Sequence, residues 1–258
     1  EASENYKDVD DPSLTVAFTL IDQENTAVLV WTTTPWTLVS NIAIACGADI
    51  DYVKIKEKSS GNCYIMAQGR LVEYFKEPEL YEVIAHMKGS DLEGMRYNPL
   101  FPHFKELSEK GAFQIIADGF VTLEDGTGLV HTAPGFGEAD FYACQSRNLP
   151  LVCPVDQNGQ FTHEVPEYLG RFVKDCDKEI IRTLKAEGKV FRHETARHRY
   201  PFCWRSDTPL IYKVVATWFV AVEKIKDKLL KANGEIYWMP EHVKLGRFGK
   251  WLDGARDW

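Results

Sequence analysis

Apolar and polar residues alternate over 14–31 in two runs. Leu14-Thr-Val-Ala-Phe-Thr-Leu-Ile21 is followed by the polar stretch Asp22-Gln-Glu-Asn25 and then by Thr26-Ala-Val-Leu-Val-Trp31. Two β-favouring runs around a short polar turn predict a hairpin. Further strands are predicted at 41–46, 52–56, 63–67, 81–88, 113–118 and 128–131, with a turn at 59–62 and a break at Gly89-Ser-Asp91. Helices are predicted at 68–76, 138–147 and 175–187, the last closed by Gly188 in the manner of a C-terminal cap. Beyond residue 195 the texture changes. A basic stretch at 192–199 leads into Tyr200-Pro-Phe-Cys-Trp-Arg205, a strand at 210–215, an apolar run at 218–222 and a helix at 223–233. Many short strands and few helices predict an α+β fold: a β-barrel-like domain with flanking helices over 1–195, then a small β/helix connection over 196–258.

Composition narrows the function classes. At 258 residues and 45% hydrophobic content, the chain is long enough and apolar enough for one large core. No apolar run reaches the length of a membrane span, so no membrane partner is expected. The net charge of -8 argues against a broad basic grip on nucleic acid and leaves only local contact. Cysteines 46, 63, 144, 153, 176 and 203 include no C-x-x-C pair, which fits buried free thiols in a reducing, cytoplasmic setting. Residues 1–12 are acidic and polar and lack the basic and apolar regions of a signal peptide. They are expected to be a start cut from a longer chain or a frayed entry strand.

Two segments carry the chemistry. In Trp31-Thr-Thr-Thr-Pro-Trp-Thr37, Pro35 cannot donate to a strand ladder and biases Thr34 towards an extended backbone. A strand that stops there presents Thr32, Thr33 and Thr34 hydroxyls, which can orient a water or bind a ribose, an ester or an amine. Threonines also pair across sheets with no further role. The second segment is Gly128-Leu-Val-His-Thr-Ala-Pro-Gly-Phe-Gly-Glu-Ala-Asp140. His131 ends an apolar run, where a hydrogen-bonded structural histidine is the commoner case. Asp140 falls early in the following helix. There it either complements the helix dipole or stays ionised and holds a cationic amine. No G-x-S-x-G elbow, H-E-x-x-H, P-loop or dinucleotide fingerprint is present. Cys203-Trp-Arg-Ser206 offers one cysteine where a zinc knuckle needs two, so neither a metal nor a cofactor is expected.

Taken together, Trp31-Thr-Thr-Thr-Pro-Trp-Thr-Leu38 with Asn41, and Gly126-Thr-Gly-Leu-Val-His-Thr-Ala-Pro-Gly-Phe-Gly-Glu-Ala-Asp140, closely resemble the editing domain, or connective polypeptide, of the isoleucyl-tRNA synthetases. Leu92-Glu-Gly-Met-Arg-Tyr-Asn-Pro-Leu-Phe101, Tyr200-Pro-Phe-Cys-Trp-Arg205 and the stretch 246–258 share the resemblance, which covers essentially the whole chain. The valyl and leucyl relatives carry an arginine where this chain has Thr34. The family's H-x-G-H and K-M-S-K-S nucleotide segments are absent, so the resemblance implies an editing unit without synthetic activity.

The implied reaction is hydrolysis of valine wrongly esterified to tRNA(Ile), with valyl-adenylate left open as a second substrate. The implied partners are the acceptor end of tRNA(Ile) carrying valine and the rest of the synthetase chain. By resemblance, Asp140 binds the α-ammonium and His131 narrows the side-chain pocket. Thr32, Thr33 and Thr34 line the site and help place the attacking water. Trp31, Thr37 and Asn41 support the pocket, and Ala133, Gly135 and Phe136 form the wall facing substrate. Thr33, Thr34 and Asp140 are the expected catalytic residues. A non-catalytic tRNA-acceptor binding module and a valyl- or leucyl-type editing domain are the alternatives. The basic stretches at 192–199 and 244–250 are expected either to touch the acceptor end or to be solvated faces.

Overall fold

The computed structural model describes residues 5–258. The chain divides into two compact units, the first running through Val214 and the second spanning Val215–Trp258. The division falls after the boundary expected at 195, because one long strand, Val190–Pro201, runs straight through that point.

Among the described residues, nine strands build the first unit. They are β1 (Tyr6–Thr19), β2 (Thr26–Thr32), β3 (Ala43–Cys46), β4 (Asp51–Glu57), β5 (Cys63–Ala67), β6 (Tyr81–Lys88), β7 (Gln114–Ala117), β8 (Leu129–Thr132) and β9 (Val190–Pro201). The predicted hairpin is β1–β2, antiparallel with Val16 opposite Val30 and Phe18 opposite Val28. The central path runs β6-β4-β5-β2-β8-β3-β7. On its other edge β2 is shared: β5 takes Thr26 to Val28 and β8 takes Trp31, both parallel. A strand that changes partner along its length forces its neighbours to diverge. The result is the curled, barrel-like sheet of an α+β fold. Leu14, Val16, Phe18, Val28, Val30, Ile44, Ile65 and Leu184 are buried in one continuous core.

The helix Asp177–Ala186 covers this core with Ile180, Ile181 and Leu184. It ends as expected: Gly188 takes φ 68, a left-handed conformation open to glycine. Two expectations change. Residues 6–12 are not frayed but pair in register with β9, Tyr6 opposite Pro201 and Pro12 opposite Thr195; residues 1–4 lie outside the described residues. Residues 210–222 form no strand. Their backbone hydrogen bonds go to scattered partners, Leu210 N–H to Pro201 O at the end of β9 at 3.0 Å, Val214 N–H to Gly135 O at 2.8 Å and Val220 to Trp258, rather than to one ladder. All six cysteines are free; Cys46, Cys144 and Cys176 are buried and the other three half-buried.

The second unit is helical, with Lys226–Glu235, His242–Leu245 and Arg247–Asp253. The buried Asn233 ties it together. Its amide donates to Lys244 O at 2.9 Å and accepts from the Trp238 indole at 2.9 Å. Among the described residues no helix is long and apolar enough to cross a membrane.

Candidate active site

The two segments singled out in the sequence meet where β2 and β8 end side by side. Trp31 pairs with Val130 across the parallel contact, and His131 pairs with Ile44 on the far side. Pro35 opens a 3-10 turn, Pro35–Ser40, shortly after the strand ends at Thr32; Thr34 before it, at φ -125 and ψ 73, is neither helical nor fully extended. The turn lacks a side-chain cap of its own. Asp177, from the covering helix, supplies one by accepting the Trp36 N–H at 2.9 Å.

Behind β8, the glycine turn is anchored from the sheet. Tyr52 donates its hydroxyl to Gly128 O at 2.6 Å, and Arg70 donates Nε–H to Gly126 O at 2.9 Å. Gly126 sits at φ +67 with the Trp31 ring 3.2 Å from where a Cβ would stand, so both conformation and space select glycine.

A pocket of about 390 Å³ lies between these elements. Thr32, Thr33, Thr34 and Thr37 line one side, and His131, Ala133, Phe136 and Asp140 another. Trp31, Phe120, Thr122 and the acidic pair Glu124 and Asp125 also line it. The hydroxyls of Thr32, Thr34 and Thr37 are joined in one network. Thr34 N–H donates to Thr32 Oγ1 at 3.1 Å, Thr34 Oγ1 lies 3.1 Å from Thr37 Oγ1, and the Thr37 hydroxyl donates to Thr34 O at 2.8 Å.

His131 is fixed from both sides. Nε2 lies 3.0 Å from Thr37 Oγ1 and Nδ1 lies 2.9 Å from the Asn41 amide nitrogen. Burial pushes its pKa down to about 4, against a hydrogen bond to Thr37 that acts the other way. The ring is therefore neutral at physiological pH. Asp140 behaves differently. Its Oδ2 accepts the Ala133 N–H at 2.8 Å. Burial raises its pKa to about 6, opposed by the N–H groups of Ala133 and of its own backbone, so it is mainly ionised at neutral pH. Among the described residues, three carboxylates line the pocket and no lysine or arginine does. The lining suits a ligand that carries positive charge.

Ten of the eleven sequence-predicted residues touch one connected pocket or its immediate support. Trp31, Thr32, Thr33, Thr34, Thr37, His131, Ala133, Phe136 and Asp140 are on its lining. Asn41 stands behind His131 and reaches it by hydrogen bond. Gly135 does not line the pocket. A Cβ there would meet Val152 O at 2.4 Å, so its role is to let the backbone of residue 152 pack closely behind the wall. The carboxylates at 124 and 125 and Asp177 were not among the sequence candidates, and Asp177 lies far away in sequence.

The basic stretch at 192–199 is occupied within the fold. Arg192 donates to Glu73 O at 3.0 Å and stacks on Tyr74 at 4.6 Å, Arg197 pairs with Asp8 at 3.7 Å, and His198 with Asp11 at 3.1 Å. Among the described residues, no group of three or more His, Cys, Asp or Glu is placed to hold a metal ion.

Comparison with known proteins assigns the family. The model of "tRNA synthetases class I (I, L, M and V)" matches residues 1–258. Isoleucine–tRNA ligase of Protochlamydia amoebophila (strain UWE25) is 58% identical over 258 residues, covering all of this chain and 25% of that protein. The same ligase of Chlamydia pneumoniae is 56% identical with the same coverage, and that of Bdellovibrio bacteriovorus is 55% identical over 259 residues. The chain thus spans about a quarter of the length of these relatives. In fold it is similar to GlLeuRS-CP1, with TM-score 0.54 at 13% identity over 70% of this chain and 98% of that one. It is likewise similar to the P. knowlesi cytosolic leucyl-tRNA synthetase editing domain, with TM-score 0.52 at 10% identity over 74% of this chain and 97% of that one. The chain therefore belongs to the class I tRNA synthetases, as a segment similar throughout to isoleucine–tRNA ligases and folded like a synthetase editing domain.

Proposed function

We propose that this segment proofreads isoleucyl-tRNA synthesis by hydrolysing valine wrongly esterified to tRNA(Ile). The observation that carries the reading is the placement of Asp140, His131 and the threonine hydroxyls around one pocket. The ionised Asp140 receives the α-ammonium of the amino acid. The aliphatic side chain then points at the imidazole of His131, and the ester carbonyl faces the hydroxyls of Thr32, Thr33 and Thr34.

The chemistry asks little of the protein. An ester is already activated, so a placed water and a stabilised oxyanion suffice, with no covalent intermediate. Thr34 Oγ1 keeps acceptor capacity towards the pocket for a water hydrogen, which turns the water's lone pair to the carbonyl. His131 is a poor general base here. Both its nitrogens are engaged and burial holds its pKa at about 4. It serves as a wall. A methylene forced into a packed wall costs about 1–3 kcal/mol, which separates isoleucine from valine. The vicinal ribose hydroxyl of the terminal adenosine assists departure of the esterified oxygen. The acceptor end of tRNA(Ile) and the remainder of the ligase are the partners this role requires, and the setting is cytoplasmic.

A panel of aminoacylated tRNAs tests the reading. Valyl-tRNA(Ile) is hydrolysed and isoleucyl-tRNA(Ile) is spared. Preference for threonyl esters, or for isoleucyl and methionyl esters, assigns a valyl- or leucyl-type site instead. No hydrolysis of any ester reduces the chain to a tRNA-binding module.

A further inference from the structure

Tyr97 touches nothing in the pocket. It is fully buried, its ring packed edge-on against Phe18 at 5.1 Å and Phe113 at 6.2 Å. Its hydroxyl donates to Asn41 Oδ1 at 2.7 Å. Asn41 in turn spends its amide hydrogens on two acceptors, Ala43 O at 2.8 Å and His131 Nδ1 at 2.9 Å. A carbonyl can only accept, so Ala43 O fixes which end of the amide is nitrogen. Asn41 Oδ1 must then face Tyr97, and His131 Nδ1 must face an N–H. The imidazole proton is left on Nε2, aimed at Thr37 Oγ1 3.0 Å away. Every donor in the chain Tyr97, Asn41, His131, Thr37 points the same way, towards the pocket.

We infer that Tyr97 is a positioning residue for substrate discrimination, holding His131 through Asn41 as the Nε2–H tautomer in one fixed ring orientation. The inference rests on the reading of the pocket as an ester hydrolase that excludes isoleucine. Without the phenol, a buried amide oxygen loses its donor, and an unsatisfied buried acceptor is costly enough to loosen the amide that grips the ring. A wall that rotates admits one more methylene.

The test is Tyr97→Phe in the 258-residue chain, which removes one oxygen and keeps the packed ring. The first readout is the nitrogen spectrum of ¹⁵N-labelled histidine. In the unmodified chain, His131 shows one protonated Nε2 and one bare Nδ1 from about pH 5.5 to 8. In Tyr97→Phe the two shifts move towards each other as both tautomers are populated. The second readout is hydrolysis of valyl- and isoleucyl-tRNA(Ile). Discrimination falls about tenfold, while KM for the valyl ester stays within about twofold. Ile55→Val, in a separate part of the core, serves as a control of general loosening and keeps the original tautomer and ratio.

An unchanged tautomer and an unchanged ratio in Tyr97→Phe overturn the inference. So does a proton on Nδ1 in the unmodified chain, a result that holds even if the variant does not fold. Absence of valyl ester hydrolysis in the unmodified chain instead overturns the reading of the pocket, and the nitrogen spectra still report whether Tyr97 sets the tautomer.

Discussion

Asp177 Oδ1 accepts the backbone N–H of Trp36 at 2.9 Å, although 141 residues separate the two. The contact ties the turn that follows Thr32, Thr33 and Thr34 and carries Thr37 to the helix that closes the core. Burial raises the Asp177 pKa to about 7, against the Trp36 hydrogen bond and the Lys174 charge. The folded chain therefore holds a proton that the unfolded chain sheds near pH 4, and this group's contribution to stability declines as pH rises from about 4 to about 7. Asp177→Asn, which mimics the protonated acid, is expected to flatten that decline in chemical denaturation. Asp177→Ala strands a buried N–H and is expected to cost about 1–3 kcal/mol at every pH.

Asp140 separates charge from shape. Asp140→Asn keeps an oxygen for the Ala133 N–H but has no charge for an ammonium. Its melting temperature should match the original, while kcat/KM for valyl-tRNA(Ile) falls by about 1.5–3 kcal/mol of transition-state binding. Near-normal hydrolysis by this variant would remove the amine-binding role.

The pH profile should report Asp140 and not His131. With an Asp140 pKa of about 6, kcat/KM drops as pH falls through that value and the carboxylate takes a proton. The alkaline limb belongs to the substrate's α-amino group, which loses its charge at about pH 8 or below. His131→Gln abolishes no limb of the profile. A limb that vanishes in that variant makes the histidine the titrating group.

His131→Ala removes the wall. Isoleucyl-tRNA(Ile) is expected to become a substrate, its hydrolysis approaching that of the valyl ester within about tenfold. If isoleucine is still excluded, the discriminating surface lies elsewhere, and Phe136 and Ala133 are the next candidates on the lining.

Most of the pocket was legible in the sequence because its parts are local. A β-favouring run stopped by Pro35 must present its hydroxyls at a strand end, and it does. The strand-turn-helix spacing from His131 to Asp140 likewise sets both side chains at one mouth. Tyr97 and Asp177 were not legible as contributors. Each acts through a contact made by tertiary packing, and neither lies on a periodic pattern that marks its partner. Strand β9 was obscured for a different reason. Its charged residues read either as a contact for the acceptor end or as a solvated face, but they answer acidic residues on β1, Arg197 to Asp8 and His198 to Asp11. Residues 210–222 misled in the opposite direction: their apolar composition favours a strand, yet their backbone hydrogen bonds go to scattered partners rather than to one ladder.

The pairing of β1 with β9 has a consequence for synthesis on the ribosome. β1 emerges early, and its second partner is complete only at Pro201. At about 5–20 residues per second, one edge of that strand waits on the order of ten to forty seconds for its mate. A long bare edge is a template for pairing with another nascent chain. Asp8, Asp10, Asp11 and Pro12 lie along the waiting edge. Their charges and the proline blunt that bare edge against pairing with other copies until the basic partner arrives.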